Sequence, residues 1–163
     1  MISIRRAGTG DIPALEKLYA LAGKKDDGYF RKALESADIY MAFGENTDEP
    51  CGFCLLNWRP RYGFYKKLGI PEIQDLNVAP AHRRKGIAGA LIDYCENLAR
   101  EQKCDYMGIS VGLTKDYGPA QILYAKRGYV PDGNGVTYDR DGVAKGQACL
   151  VDDNLALMMV REL

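Results

Sequence analysis

EIQDLNVAPAHRRKGIAGAL, residues Glu72–Leu91, joins a strand-like run to a helix through a short loop rich in cations and glycine. The strand signal is Ile73 to Val78, closed by Pro80, which cannot continue a ladder. The helix signal is periodic: Ile87, Leu91, Tyr94, Cys95 and Leu98 recur at spacings of three and four. Between them Arg83, Arg84 and Lys85 precede Gly86, with Ala88 and Gly89 just beyond. The first turn of a helix has backbone N–H groups without intrahelical partners, and the helix dipole adds positive potential there. Small residues at that turn let an anion approach those groups closely, and the three cations complement its charge. The segment suits a diphosphate better than a carboxylate.

Two familiar phosphate loops do not fit. A Walker loop needs G-x-x-x-x-G-K-S/T, and the chain contains no such string. A dinucleotide fingerprint needs G-x-G-x-x-G, and Gly86-Ile87-Ala88-Gly89 has neither the glycines nor the spacing. Arg83 to Ala88 spells R-x-x-G-x-A, preceded by L-x-V-x-P at Leu76, Val78 and Pro80. This resembles the acyl-coenzyme A pyrophosphate loop of the GNAT superfamily of N-acetyltransferases, whose pattern is Q/R-x-x-G-x-G/A. A second segment, GPAQILYAKRGYVP from Gly118, is similar to the superfamily's N-x-x-A-x-x-L-Y-x-x-x-G-F element. Ala120, Leu123, Tyr124 and Gly128 match, Tyr129 stands in for phenylalanine, and Tyr117 replaces the usual asparagine.

Composition narrows the alternatives. The chain has 163 residues, 47% hydrophobic and 27% charged, the profile of one soluble globular domain spanning 1–163. Acidic and basic residues balance at 22 each, without the basic excess of a nucleic-acid binder. The longest apolar run near the C-terminus, Leu155 to Val160, is too short for a membrane span, and MISIRRAGTGD does not read as a secretory signal. Five cysteines and a single histidine argue against a disulfide framework or a metal site and for a reducing, cytoplasmic setting. Cys51 and Cys54 lie three apart in a strand-like run and should point to opposite faces.

The rest of the chain supplies the frame. Ile2–Arg6 alternates as a half-buried strand. Thr9 or Asp11 can cap a helix carrying Leu15, Leu18, Tyr19 and Ala22, and a second helix covers Gly28–Ser36. Ile39–Phe43 and Gly52–Trp58 read as an antiparallel pair, and Arg59–Ile70 as an irregular loop. Tyr106–Val111 reads as a strand, Ala120–Arg127 as a helix stopped by Gly128, and Asn154–Arg161 as a terminal strand. Strands joined by a helical crossover should be parallel. The expected class is therefore mixed α/β: a mostly antiparallel sheet with one parallel strand pair and helices on both faces. That is also the element order of the GNAT fold, and the resemblance spans nearly the whole chain.

The resemblance implies acetyl-CoA as co-substrate, no metal, and transfer of an acetyl group to a primary amine of a small molecule or peptide by direct attack in a ternary complex. It implies that Arg83, Arg84, Lys85, Gly86, Ile87, Ala88 and Gly89 hold the pyrophosphate. Leu76, Asn77 and Val78 would line the pantetheine arm, with Tyr117 and Tyr124 also on the cofactor side. Tyr124 would be the general acid, since a phenol can protonate a leaving thiolate. For the base, Glu72, Asp75 and a water chain remain open. A non-catalytic acyl-CoA sensor and an enzyme using a longer acyl donor are the alternatives. Tyrosine-rich segments (Tyr19, Tyr29, Tyr62 and Tyr65 among them) offer lining for an amine. The apolar terminal strand offers an edge for a homodimer.

Overall fold

The computed structural model describes residues Met1–Leu163. The chain packs into two compact units, each built from two separated segments: Met1–Trp58 with Ile73–Glu101, and Arg59–Glu72 with Gln102–Leu163. The class is the mixed α/β one expected from the sequence, with mostly antiparallel strands, one parallel pair and helices around them.

The first unit contains β1 (Ser3–Arg6), α1 (Ile12–Leu21), α2 (Tyr29–Ser36), β2 (Asp38–Phe43), β3 (Pro50–Asn57), β4 (Glu72–Val78, from Ile73 onward) and α4 (Ile87–Glu101). Its strands run in the order β1-β2-β3-β4, and β2 is antiparallel to both β1 and β3. Leu15 and Leu18 of α1, Phe30 of α2, and Ile39, Met41 and Phe53 of the strands form its core. Each such side chain contributes about 1.5–3 kcal/mol by leaving water. Asp11, rather than Thr9, organises the entry to α1: its carboxylate accepts the Gly8 N–H at 2.8 Å and the Arg5 guanidinium at 2.7 Å. Helix α4 buries Ile87, Leu91, Ile92, Cys95 and Ala99. It comes so close to β3 that a Cβ on Gly52 would lie 3.0 Å from the Ile87 side chain and 2.9 Å from the Asn77 carbonyl oxygen.

The second unit contains α3 (Gly63–Leu68), β5 (Tyr106–Gly112), α5 (Gly118–Lys126), β6 (Val130–Tyr138), β7 (Asp141–Gly142) and β8 (Leu155–Glu162), with strand order β5-β8-β6-β7. Helix α3 lies where the sequence suggests only loop. Six residues are too few for a helical period to show, and the helix is fixed by a tertiary contact: the Tyr65 ring lies against Gly108, where a Cβ would come within 2.5 Å of it. The hairpin β6–β7 also escapes the sequence pattern. Strand β8 corrects a further expectation. It is bonded on one side to β5 and on the other to β6, so its edges are already used and it offers no ladder to a second copy.

No helix is long and apolar enough to cross a membrane. All five cysteines are free thiols: Cys51 and Cys54 are both buried, and Cys54 meets Cys95, not Cys51, at 3.6 Å.

Candidate active site

In the first unit, β4 departs from regular geometry at one residue. Asp75 has φ +49°, a left-handed conformation that a non-glycine residue adopts at a cost of about 1–2 kcal/mol. Its carboxylate is 13% exposed. Oδ1 accepts a hydrogen bond of 2.7 Å from Asn77 Nδ2 and lies 3.5 Å from Lys24 Nζ. Oδ2 is buried and accepts no hydrogen bond from the protein. Leu76, Asn77 and Val78 beyond it are half-buried. The Val78 carbonyl accepts from Arg83 Nε at 3.3 Å, and Ala79 N–H donates to the Cys51 carbonyl at 2.8 Å, tying the end of β4 to β3.

The chain then turns through Pro80–His82 and presents Arg83, Arg84, Lys85 and Gly86, all exposed. Arg84 and Gly86 have φ of +61° and +80°. These left-handed residues swing the backbone into α4, whose first internal hydrogen bond runs from Ala90 N–H to the Gly86 carbonyl at 2.9 Å. The N–H groups ahead of Ala90 therefore lack an i→i−4 partner. A Cβ built on Gly86 would meet nothing within 4 Å, so the space above that turn is open. Ile87 is buried and anchors the helix, while Ala88 and Gly89 are half-buried. Open space, a small-residue helix start and three exposed cations come together at this turn, where the sequence suggests an anion site, and the chemistry of these residues is compatible with a pyrophosphate.

In the second unit, Tyr124 is 6% exposed on α5, its ring centroid 6.3 Å from that of Tyr129. Gly128, at φ +87°, reverses the chain, so that Gly128 N–H reaches the Ala125 carbonyl and Tyr129 N–H the Tyr124 carbonyl. This is a Schellman closure, and it explains the glycine of the L-Y-x-x-x-G pattern. Tyr117 precedes the other end of α5, at the N-cap position but without a side-chain capping bond. Its ring lies so close to Gly112 that any Cβ there would overlap it at 2.3 Å, and its hydroxyl donates to Asp153 at 2.9 Å.

Glu72, one of the carboxylates left open as the base, is fully buried and bound by Arg140 through two contacts, Nη2 to Oε1 at 3.0 Å and Nε to Oε2 at 3.4 Å. Burial pushes the Tyr65 hydroxyl well above the ordinary phenol range, with the negative charges of Glu72 and Asp132 adding to it. Tyr62 is raised likewise by burial and by its 2.6 Å hydrogen bond to Asp132. Arg140 escaped the sequence reading because it stands far along the chain, in the two-residue turn Asp139-Arg140 between β6 and β7. Both turn residues have positive φ, at 47° and 67°, a conformation usually signalled by Asn-Gly. No group of three or more His, Cys, Asp or Glu side chains is disposed to hold a metal ion.

The sequence profile described as "Acetyltransferase (GNAT) family" matches residues 12–129. A search of curated protein sequences returned no match. Among solved structures, the ribosomal-protein-S18-alanine N-acetyltransferase of Escherichia coli superposes with a TM-score of 0.73 at 14% identity, covering 99% of this chain and 94% of that one. A GNAT family acetyltransferase from Elizabethkingia anophelis with acetyl-CoA bound gives 0.66 at 18% identity, covering 99% and 98%. Nourseothricin acetyltransferase gives 0.68 at 19% identity, also covering 99% and 98%. At these identities the likeness is one of fold.

Proposed function

The chain belongs to the GNAT acetyltransferase family, and from that premise we propose that it transfers the acetyl group of acetyl-CoA to a primary amine of a small molecule or peptide, by direct attack in a ternary complex. The observation that carries the reading is the open helix start at Gly86, flanked by exposed Arg83, Arg84 and Lys85. Acetyl-CoA supplies an activated acyl carbon and a thiolate leaving group.

The chain's own residues take the remaining tasks. Backbone N–H groups from Gly86 to Gly89 and the three cations hold the pyrophosphate, with the Ile87 side chain fixing the helix from below. The half-buried Leu76–Val78 segment receives the pantetheine arm, and a backbone N–H near Val78 polarises the acyl oxygen. Family resemblance assigns Tyr117 to the cofactor side and Tyr124 to proton donation toward the leaving sulfur. The amine must lose a proton before its nitrogen attacks; the C–N bond then forms as the C–S bond breaks. Asp75, directly or through a water chain, is the acceptor we favour for that proton, a choice supported by one of its oxygens receiving no hydrogen bond from the protein. Glu72 already has Arg140 on both oxygens and is better suited to holding the β6–β7 turn.

The test is thermal stability with acetyl-CoA and free CoA, with ATP and NAD as controls. A ligand at a hundred times its dissociation constant stabilises the fold by about 2.7 kcal/mol. Stabilisation by both CoA species alone supports the reading and opens an amine screen; no response to either overturns it.

A further inference from the structure

Helix α1 ends in a Schellman closure: Gly23, at φ +75°, donates its N–H to the Ala20 carbonyl, and Lys24 N–H reaches the Tyr19 carbonyl at 3.1 Å. In this motif the residue after the glycine usually lays an apolar side chain over the helix's last turn. Here that residue is a lysine. Its ammonium lies over the Tyr19 ring, with Nζ 5.4 Å from the ring centre, and faces Asp75 at 3.5 Å. The Tyr29 ring stacks on Tyr19 at 5.3 Å with an interplanar angle of 4°.

The Lys24–Asp75 contact is poorly made for a structural ion pair. At 3.5 Å it is longer than the 2.7–2.9 Å of a well-formed ammonium–carboxylate hydrogen bond. It engages only Oδ1, already taken by Asn77, and leaves the buried Oδ2 with no donor from the protein. The backbone is strained to hold that carboxylate there, at φ +49°. An ammonium has three N–H donors and could serve both oxygens. Lysine tethered at α1 reaches only partway. Carboxylate, aromatic face and a loosely seated alkylammonium together describe a binding site with a surrogate in it.

We infer that Asp75 and Tyr19 form a recognition site for a primary alkylammonium ligand, and that Lys24 occupies this site as an internal stand-in which the ligand displaces. The inference rests on the function proposed above in taking that ligand to be the acceptor amine. Lys24 lies in the connector between α1 and α2 and its side chain is 36% exposed, so a displaced ammonium has solvent to enter.

The experiment is calorimetric titration of the full chain with n-butylammonium chloride, without acetyl-CoA. If Lys24 fills the site nine-tenths of the time, apparent affinity is lowered about tenfold. Lys24→Met should therefore bind butylammonium about tenfold more tightly than the parent, Lys24→Arg should stay near the parent, and adding Asp75→Asn to Lys24→Met should abolish binding. Equal affinity of Lys24→Met and parent, no binding in Lys24→Met, or binding that survives Asp75→Asn each overturns the inference. Lys24 sits in a partly exposed connector, so its variants test the site even where Asp75→Asn folds poorly. Acetyl-CoA stabilisation measured on the same preparations separates the two claims: its absence with intact amine binding removes the proposed reaction and leaves this site standing.

Discussion

Glu72 and Arg140 stand 68 residues apart in sequence, yet the guanidinium meets both oxygens of a carboxylate that no solvent reaches. Removing one partner of such a pair strands the other charge, which costs about 3–5 kcal/mol. Arg140→Met should destabilise the protein by about 3 kcal/mol or more in chemical denaturation. The double variant with Glu72→Gln should recover part of that loss. Strictly additive losses would mean the two groups do not depend on each other.

Tyr124→Phe keeps the ring that packs beside Tyr129 and removes only the hydroxyl. Turnover should fall about a hundredfold, the scale of a lost general acid, while acetyl-CoA affinity stays within about a factor of two. An unchanged steady-state rate would take Tyr124 out of the mechanism.

Gly86→Val places a branched side chain in the open space above α4 at a φ of +80°. The backbone cost alone is about 1–2 kcal/mol. Gly133 is a matched control, with φ +87° and equally open surroundings on β6. Both variants should lose similar stability, and only Gly86→Val should lose acetyl-CoA affinity, by about tenfold or more. Equal binding in the two would sink the loop assignment.

Asp11 gives a pH dependence with a definite sign. Its hydrogen bond from Arg5, aided by the Gly8 N–H, holds its pKa down at about 2. A carboxylate depressed in the folded state contributes stability that is complete above its unfolded value of about 3.9. That contribution is lost as pH falls from there through about 2. Asp11→Asn should lower the melting temperature at neutral pH, and the gap between variant and parent should close over that acid window. A gap of constant size would show that Asp11 acts only through packing.

The turn into α4 was legible because its signals are local: small residues, cations and a helix period all fall within Arg83–Leu98. The same holds for Gly128, whose role is written in the turn it must make. What the sequence could not disclose depends on distant partners. Glu72 reads as a strand end until Arg140 arrives, and the turn that delivers Arg140 lacks the Asn-Gly signature. Helix α3 is six residues long and held by Tyr65 against Gly108, a contact with no sequence period. The terminal strand looked like an edge because apolar content does not say how many neighbours a strand has.

That strand has a consequence for synthesis. Strand β8 separates β5 from β6, so both leave the ribosome before the segment that joins them has been made. The second unit therefore waits with two open ladders and an unfilled place between them, and its assembly must close contacts between residues as distant as Tyr106 and Glu162. Late, long-range closure of this kind is slow and leaves apolar strand faces accessible in the interval. The first unit, complete in sequence once α4 has emerged, can settle earlier. Nascent chains halted between residues 138 and 155 should then be the ones that most engage chaperones.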